Sequence, residues 1–145
     1  MLAEHLKAVS KALDAKCKLV ALSLSVSDGV VRHVDMPRMP VEDMRLILKH
    51  NSRNYLQQEM PNHVFDCHLL PPGPANVETG KQGTVPKQKV LVAAAKKQIV
   101  DEFTEGAKAA GLVADHIVPG LIGPVNAFEL AMPDAFVSDV VALVD

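Results

Sequence analysis

Apolar and polar positions along this chain change period several times, and the changes mark out its elements. Leu2, Leu6, Val9 and Leu13 recur three or four residues apart, which predicts an amphipathic N-terminal helix. From Lys18 to Val26 (KLVALSLSV) apolar and small polar residues alternate with the period of a strand, and Ser27-Asp28-Gly29 is a turn signal. Val30–Val34 returns to strand character, so these two runs are expected to pair as a hairpin. Pro37 and Pro40 then punctuate the start of a long helix. Pro40 suits its first turn, and Glu42 and Asp43 complement the positive end of the helix dipole. Val41, Met44, Leu48 and Tyr55 form the apolar stripe, widened by Ile47 and Leu56, and Pro61-Asn62 ends the helix.

The second half alternates in the same way. Val64–Leu70 reads as a strand. Pro71 to Lys89 is rich in Pro and Gly, has no period, and reads as a long mobile loop. Val90–Ala95 (VLVAAA) is a strand of the buried type. Lys96–Ala110 is a helix with Ile99, Val100, Phe103 and Ala107 inward, stopped at Gly111. Ala114–Val118 is a short strand, Pro124–Leu130 a short helix and Val140–Asp145 a last apolar strand. No internal repeat of usable period is present. Alternating strands and helices place the chain in the α/β class.

Composition narrows the function classes. With 145 residues and 48% hydrophobic positions the chain can bury a core of its own, and with 3% aromatics that core is aliphatic. A net charge of −2 argues against a nucleic-acid binder, which carries a large basic excess. No apolar run approaches the roughly 20 residues that span a bilayer, so direct membrane insertion is not expected. Glu4, His5 and Lys7 interrupt any signal-peptide core, and two cysteines, Cys17 and Cys67, suit a reducing compartment. The expectation is a cytoplasmic protein.

Candidate chemistry is sparse. Gly73 to Gln82 (GPANVETGKQ) superficially resembles a phosphate loop, but six residues separate its glycines where four are needed, and Gln82 stands where Ser or Thr would hold magnesium. His63, Cys67 and His68 suggest a metal, and His116 and Cys17 are further donors. Cys67 and His68 are adjacent on a strand, however, and so point to opposite faces. No Ser-His-Asp or Cys-His set assembles, and no catalytic or metal-binding residue is assigned. Arg45, Lys49 and Arg53, at i, i+4 and i+8, make a basic stripe on the long helix. Such a stripe is ordinarily a solvated face; its functional reading is a docking surface for an acidic or terminal segment of a partner.

One stretch is more specific in its order than in any single motif. The run VVRHVDMPRMPVEDMRLILKHNSRNYLQQEMPNHVFDCHLL resembles the PilM family of type IV pilus assembly proteins, in which a strand ends in a VPxMP-like turn and is followed by a helix with an E-x-x-Y-like end and a strand of V-x-D-Y-x-V-L type. Here these read VDMPRMP, SRNYLQQ and VFDCHLL. KVLVAAAKKQIVDEFTEGAKAAGLVADHIVPGLIGPVNAFE is similar to the family's subsequent strand, helix, AGL, strand and helix. VALVD looks like the strand leading into the second phosphate-binding hairpin of actin-like folds. The resemblance is collinear from about Leu2 to Asp145. Asn51 and Ser52 depart from the acidic and small residues usual before the Arg, and Gln57-Gln58 from an apolar-Pro pair after Tyr55.

The resemblance implies a partial actin-like lobe carrying an inserted strand–helix–strand–strand subdomain, as in PilM and the cell-division protein FtsA. Residues 2–26 would be part of the first lobe, 30–95 the insert, and 96–145 the return to that lobe and the start of the second. It also implies a scaffold, not an enzyme: a component beneath the inner membrane that binds the cytoplasmic tail of a PilN-like membrane protein between insert and lobe. By resemblance the partner-binding candidates are Met36, Pro37, Arg45, Lys49, Val118 and Leu121. The phosphate-binding hairpins would fall before Met1 and after Asp145, so no cofactor is expected in this chain and ATP binding is left to a longer parent. The alternatives are a fragment of an actin-like ATP-binding protein and a free-standing α+β interaction module. Strand edges and apolar faces made for absent neighbours lead to the further expectation of a homo-oligomer, a two-fold dimer first.

Overall fold

The computed structural model describes residues 1–14, 16–71 and 86–142. By its internal contacts the chain forms two compact units, Met1–Gly29 with Val100–Asp145, and Val30–Ile99.

In the first unit, helix α1 (Leu2–Ala12) is followed by strand β1 (Leu19–Leu24). The apolar periodicity of α1 is real but shallow: Leu2 and Leu6 are half-buried, Val9 is 54% and Leu13 72% exposed. Strand β1 does not turn back on the run after it. A turn does form where the sequence predicts one, with the Asp28 N–H donating to the Ser25 carbonyl at 3.0 Å. But β1 pairs in parallel with a strand nearly ninety residues later, β5 (Val113–Pro119), from Leu19 opposite Val113 to Leu24 opposite Pro119. The expected hairpin is therefore corrected. A turn signal fixes a reversal of direction, whereas pairing is decided by which apolar face finds a partner, and parallel pairing requires a long crossover.

The chain returns to β5 through helix α3 (Lys97–Ala109). Its end is built by Gly111 in the left-handed region (φ +77°). The Gly111 N–H donates to the Lys108 carbonyl at 3.0 Å and the Leu112 N–H to the Ala107 carbonyl at 2.9 Å, the paired bonds of a Schellman stop. Ala107 and Leu112 are both buried beneath it. Beyond β5 the N–H of Gly120 donates to the Leu24 carbonyl at 2.9 Å, and a side chain at 120 would begin 2.6 Å from that oxygen. Helix α4 (Ile122–Ala131) starts two residues before the predicted Pro124, because proline is tolerated within a first turn. Helix α5 (Pro133–Ser138), with Pro133 opening it and Asp134 in its first turn, is not foreseen in the sequence. Residues 139–142 are not a strand, which corrects the described part of the predicted Val140–Asp145 strand; 143–145 lie outside the described residues.

The second unit is a three-stranded sheet covered by one helix. Strand β2 (Gly29–Pro37) neighbours β4 (Lys87–Lys96), which neighbours β3 (His63–Leu69), in the order β2-β4-β3. Strands β3 and β4 run antiparallel, with Cys67 opposite Val92. Strand β4 begins three residues earlier than Val90, and the Arg38 N–H after β2 donates to Pro86 at its start at 3.1 Å. The rest of the predicted mobile loop, 72–85, lies outside the described residues. Strand alternation puts Val34, Met36, Cys67, Val90 and Val92 on one face, where helix α2 (Val41–Leu56) closes over them with Met44 and Leu48. Met36, Met44, Leu48 and Val90 are wholly buried, each contributing roughly 1.5–3 kcal/mol for an aliphatic side chain taken from water. Tyr55, Ile47, Leu56 and Phe65 pack at the margin.

Candidate functional site

The basic stripe on α2 resolves into three residues with three different surroundings. Arg45 is committed within its own unit. Its Nη1 donates to both oxygens of Glu42, one turn earlier, at 2.9 and 3.1 Å. Its Nη2 and Nε reach Oδ1 of Asp66 on β3 at 2.6 and 3.2 Å. The hydrogen bonding of Arg45 to the Asp66 carboxylate is the chief cause that raises the Arg45 pKa, so the guanidinium is held charged. Arg53 donates to Glu59 at 3.3 Å across the turn after the helix. Lys49, between them, is exposed, as is Leu46 at 55%.

Asp66 has a second task. In an antiparallel strand the N–H and C=O of alternate residues face the same neighbour. The Leu70 N–H donates to Lys89, so the even-numbered residues of β3 face β4 and the odd-numbered ones face its open side. The N–H of Cys67 falls on that open side, and Asp66 Oδ1 accepts it at 2.8 Å. One carboxylate thus satisfies an edge donor and anchors Arg45, tying α2 to β3. An open strand edge is a template for pairing with another chain; here its middle is covered by a side chain.

The helix itself is interrupted beside this surface. Asn51 leaves the helical region (φ −146°, ψ 44°), and Gln57 ends the helix in the left-handed conformation at φ 58°. Buried Ser52 follows the break, and its hydroxyl accepts the Met60 N–H at 2.9 Å, holding the turn that leads to β3. A shallow polar cleft of about 300 Å³ lies there, lined by His50, Asn51, Arg53 and Glu59 among others.

The six predicted partner-binding residues fall in unlike places. Met36 is fully buried in the core of the second unit and presents no surface for docking. Pro37 is half-buried at the end of β2, Arg45 is engaged as described, and Lys49 is open. Val118 on β5 and Leu121 just before α4 belong to the other unit, 38% and 44% exposed. The Glu42–Arg45 pair is readable from i, i+3 spacing. The Asp66 partnership, 21 residues away, carries no local signal. Among the donors considered for a metal, Cys67 is buried while His68 is exposed, and among the described residues no three His, Cys, Asp or Glu side chains cluster as ligands. Burial pushes the Cys67 thiol up, further raised by Asp66 and partly opposed by Arg45, so at neutral pH it is an inert core group.

No family model matches the chain, and no curated protein does. Solved structures do. A chain of the "PilM-PilN type IV pilus biogenesis complex" superposes on 90% of this chain with a TM-score of 0.70 at 21% identity. The fold is PilM-like, hence actin-like. The cytoplasmic domain of EpsL, an inner-membrane component of the type II secretion system of Vibrio cholerae, covers 81% with a TM-score of 0.51 at 16% identity. The chain spans 37% of the length of the first and 42% of the second. The unit Val30–Ile99 holds β2, α2, β3 and β4 in that order, while β1 and β5 lie in the other unit. Among the described residues no helix is long and apolar enough to cross a membrane.

Proposed function

We propose that this chain is a scaffold component of type IV pilus, or related type II secretion, machinery, in the cytoplasm beneath the inner membrane, where it binds the cytoplasmic tail of a PilN-like membrane partner. The observation that carries this reading is the likeness to PilM from its complex with PilN, which extends over nearly the whole chain. The EpsL likeness supports the same setting from a second machine. The surface offered by α2 fits recognition better than catalysis: Arg45 is spent on two carboxylates and the one buried thiol is held protonated. What remains open on this unit is Lys49 beside exposed Leu46, a cation next to an apolar group, the kind of pairing that suits a short peptide. No catalytic step and no cofactor is assigned to the chain.

Co-expression with a full-length PilN-like protein tests the reading. The chain is expected to sediment with membranes and to co-purify after detergent extraction, and to stay in the soluble fraction when the partner's cytoplasmic tail is deleted. Equal recovery with and without the tail contradicts the proposal.

A further inference from the structure

The unit formed by Met1–Gly29 and Val100–Asp145 carries two exposed apolar surfaces of opposite charge. The first is the C-terminal half of α1. Leu2, at the other end of that helix, packs within 2.7 Å of the position a Cβ on Gly106 would take, but Val9 and Leu13 stand in solvent. Flanking them in sequence are Lys7, Lys11, Lys16 and Lys18 against Glu4 and Asp14, and Glu4 is already paired with the N-terminal amine at 3.6 Å. The second surface lies between α4 and α5. Phe128 and Phe136 meet there with ring centroids 6.2 Å apart, and with Val125 and Val141 they line a cleft of about 250 Å³ that has Asp139 on its edge. Leu130, Met132 and Val137 beside it are 87%, 54% and 87% exposed. From Ala109 to Ala142 the sequence holds no Lys or Arg, while Asp115, Glu129, Asp134 and Asp139 are all acidic.

We infer that these two surfaces cover each other between two copies of the chain: Val9 and Leu13 of one copy enter the α4–α5 cleft of its partner, and Lys11 and Lys16 meet Asp134 and Asp139. The cleft is below the ~300–1,000 Å³ of a small-molecule site, and suits one or two aliphatic side chains of a docking helix. Clustered exposed apolar groups rimmed by polar residues mark interaction sites. The charge asymmetry selects the pairing, because cleft against cleft would bring four like charges together and α1 against α1 would juxtapose lysines. If each copy gives its α1 and receives the other's, the contact is made twice around a two-fold axis and closes as a dimer. This contact is independent of the pilus reading.

The test is the mass of the full chain in light scattering from about 10 to about 100 μM, where contacts of micromolar affinity are populated. Wild type is expected at twice the 15.6 kDa of one chain. Leu13→Asp and Val125→Asp are each expected to give monomers with unchanged circular dichroism. A mixture of the two retains one intact contact and is expected to recover part of the dimer. Lys11→Glu is expected to weaken the dimer, and Lys11→Glu with Asp139→Lys to restore it. A monomeric wild type at about 100 μM overturns the inference. So does a dimer that survives Leu13→Asp, or a charge exchange that fails to restore what Lys11→Glu removes.

Discussion

Single residues in this protein are set more by depth than by type. Cys17 and Cys67 are the same chemical group, yet Cys17 is exposed and Cys67 lies in the core with its thiol pushed up by burial. A maleimide at neutral pH is therefore expected to label Cys17 promptly and Cys67 only on unfolding; equal rates would contradict the placement of β3. The pH dependence has a definite sign. Folding favours the protonated thiol, so its contribution is complete below the ordinary thiol value and is lost as pH rises through the raised one. Denaturant melts at about pH 8 and about pH 10, on either side of the ordinary thiol range, should show a larger loss for wild type than for Cys67→Ala. Ser52 makes the same point about depth. Its hydroxyl is buried and holds the Met60 N–H, so Ser52→Ala leaves a buried donor without its partner and is expected to cost about 1–3 kcal/mol. A change below about 0.5 kcal/mol, the usual size of a surface substitution, would show that water replaces the bond.

At the scale of elements, the chain declares its helices better than its partners. The stripe Val41, Met44, Leu48 gives α2 directly, and Leu48 is wholly buried. The next inward position, four residues on, is Ser52 and not an aliphatic residue. That polar residue in the stripe is the visible trace of the break at Asn51, although it does not say that the hydroxyl turns to Met60. Strand β3 is legible from alternation, but its clamp to Arg45 spans 21 residues and depends on which side of the strand Asp66 faces. The misplaced hairpin and the missing α5 share one cause: turns and prolines report where the chain bends, while pairing is decided by faces distant in sequence. The β1–β5 pairing supplies its own test. Gly120 follows β5, and a Cβ there would meet the Leu24 carbonyl oxygen at 2.6 Å, so Gly120→Ala is expected to force that backbone apart and lower the melting temperature, whereas Gly123→Ala, with open space around it, should be neutral. Equal behaviour of the two variants would contradict the parallel register.

For the whole molecule, the order of elements carries more than any motif does. PilM likeness, collinear in the sequence from about Leu2 to Asp145, is matched by superposition over 90% of the chain at only 21% identity, a level at which fold persists while individual site residues need not. The predicted contact set divides: Met36 has gone into the core and Arg45 into an internal clamp, leaving Pro37 and Lys49 on one unit and Val118 and Leu121 on the other. The central claim, that this chain recognises the cytoplasmic tail of a PilN-like partner, is tested most directly by titrating the full chain into a fluorescent synthetic peptide of that tail and following anisotropy. Saturable binding in the micromolar range is predicted, weakened several-fold by Lys49→Glu and independent of added ATP. No saturation up to about 1 mM, or equal binding of a scrambled peptide of the same composition, would contradict it.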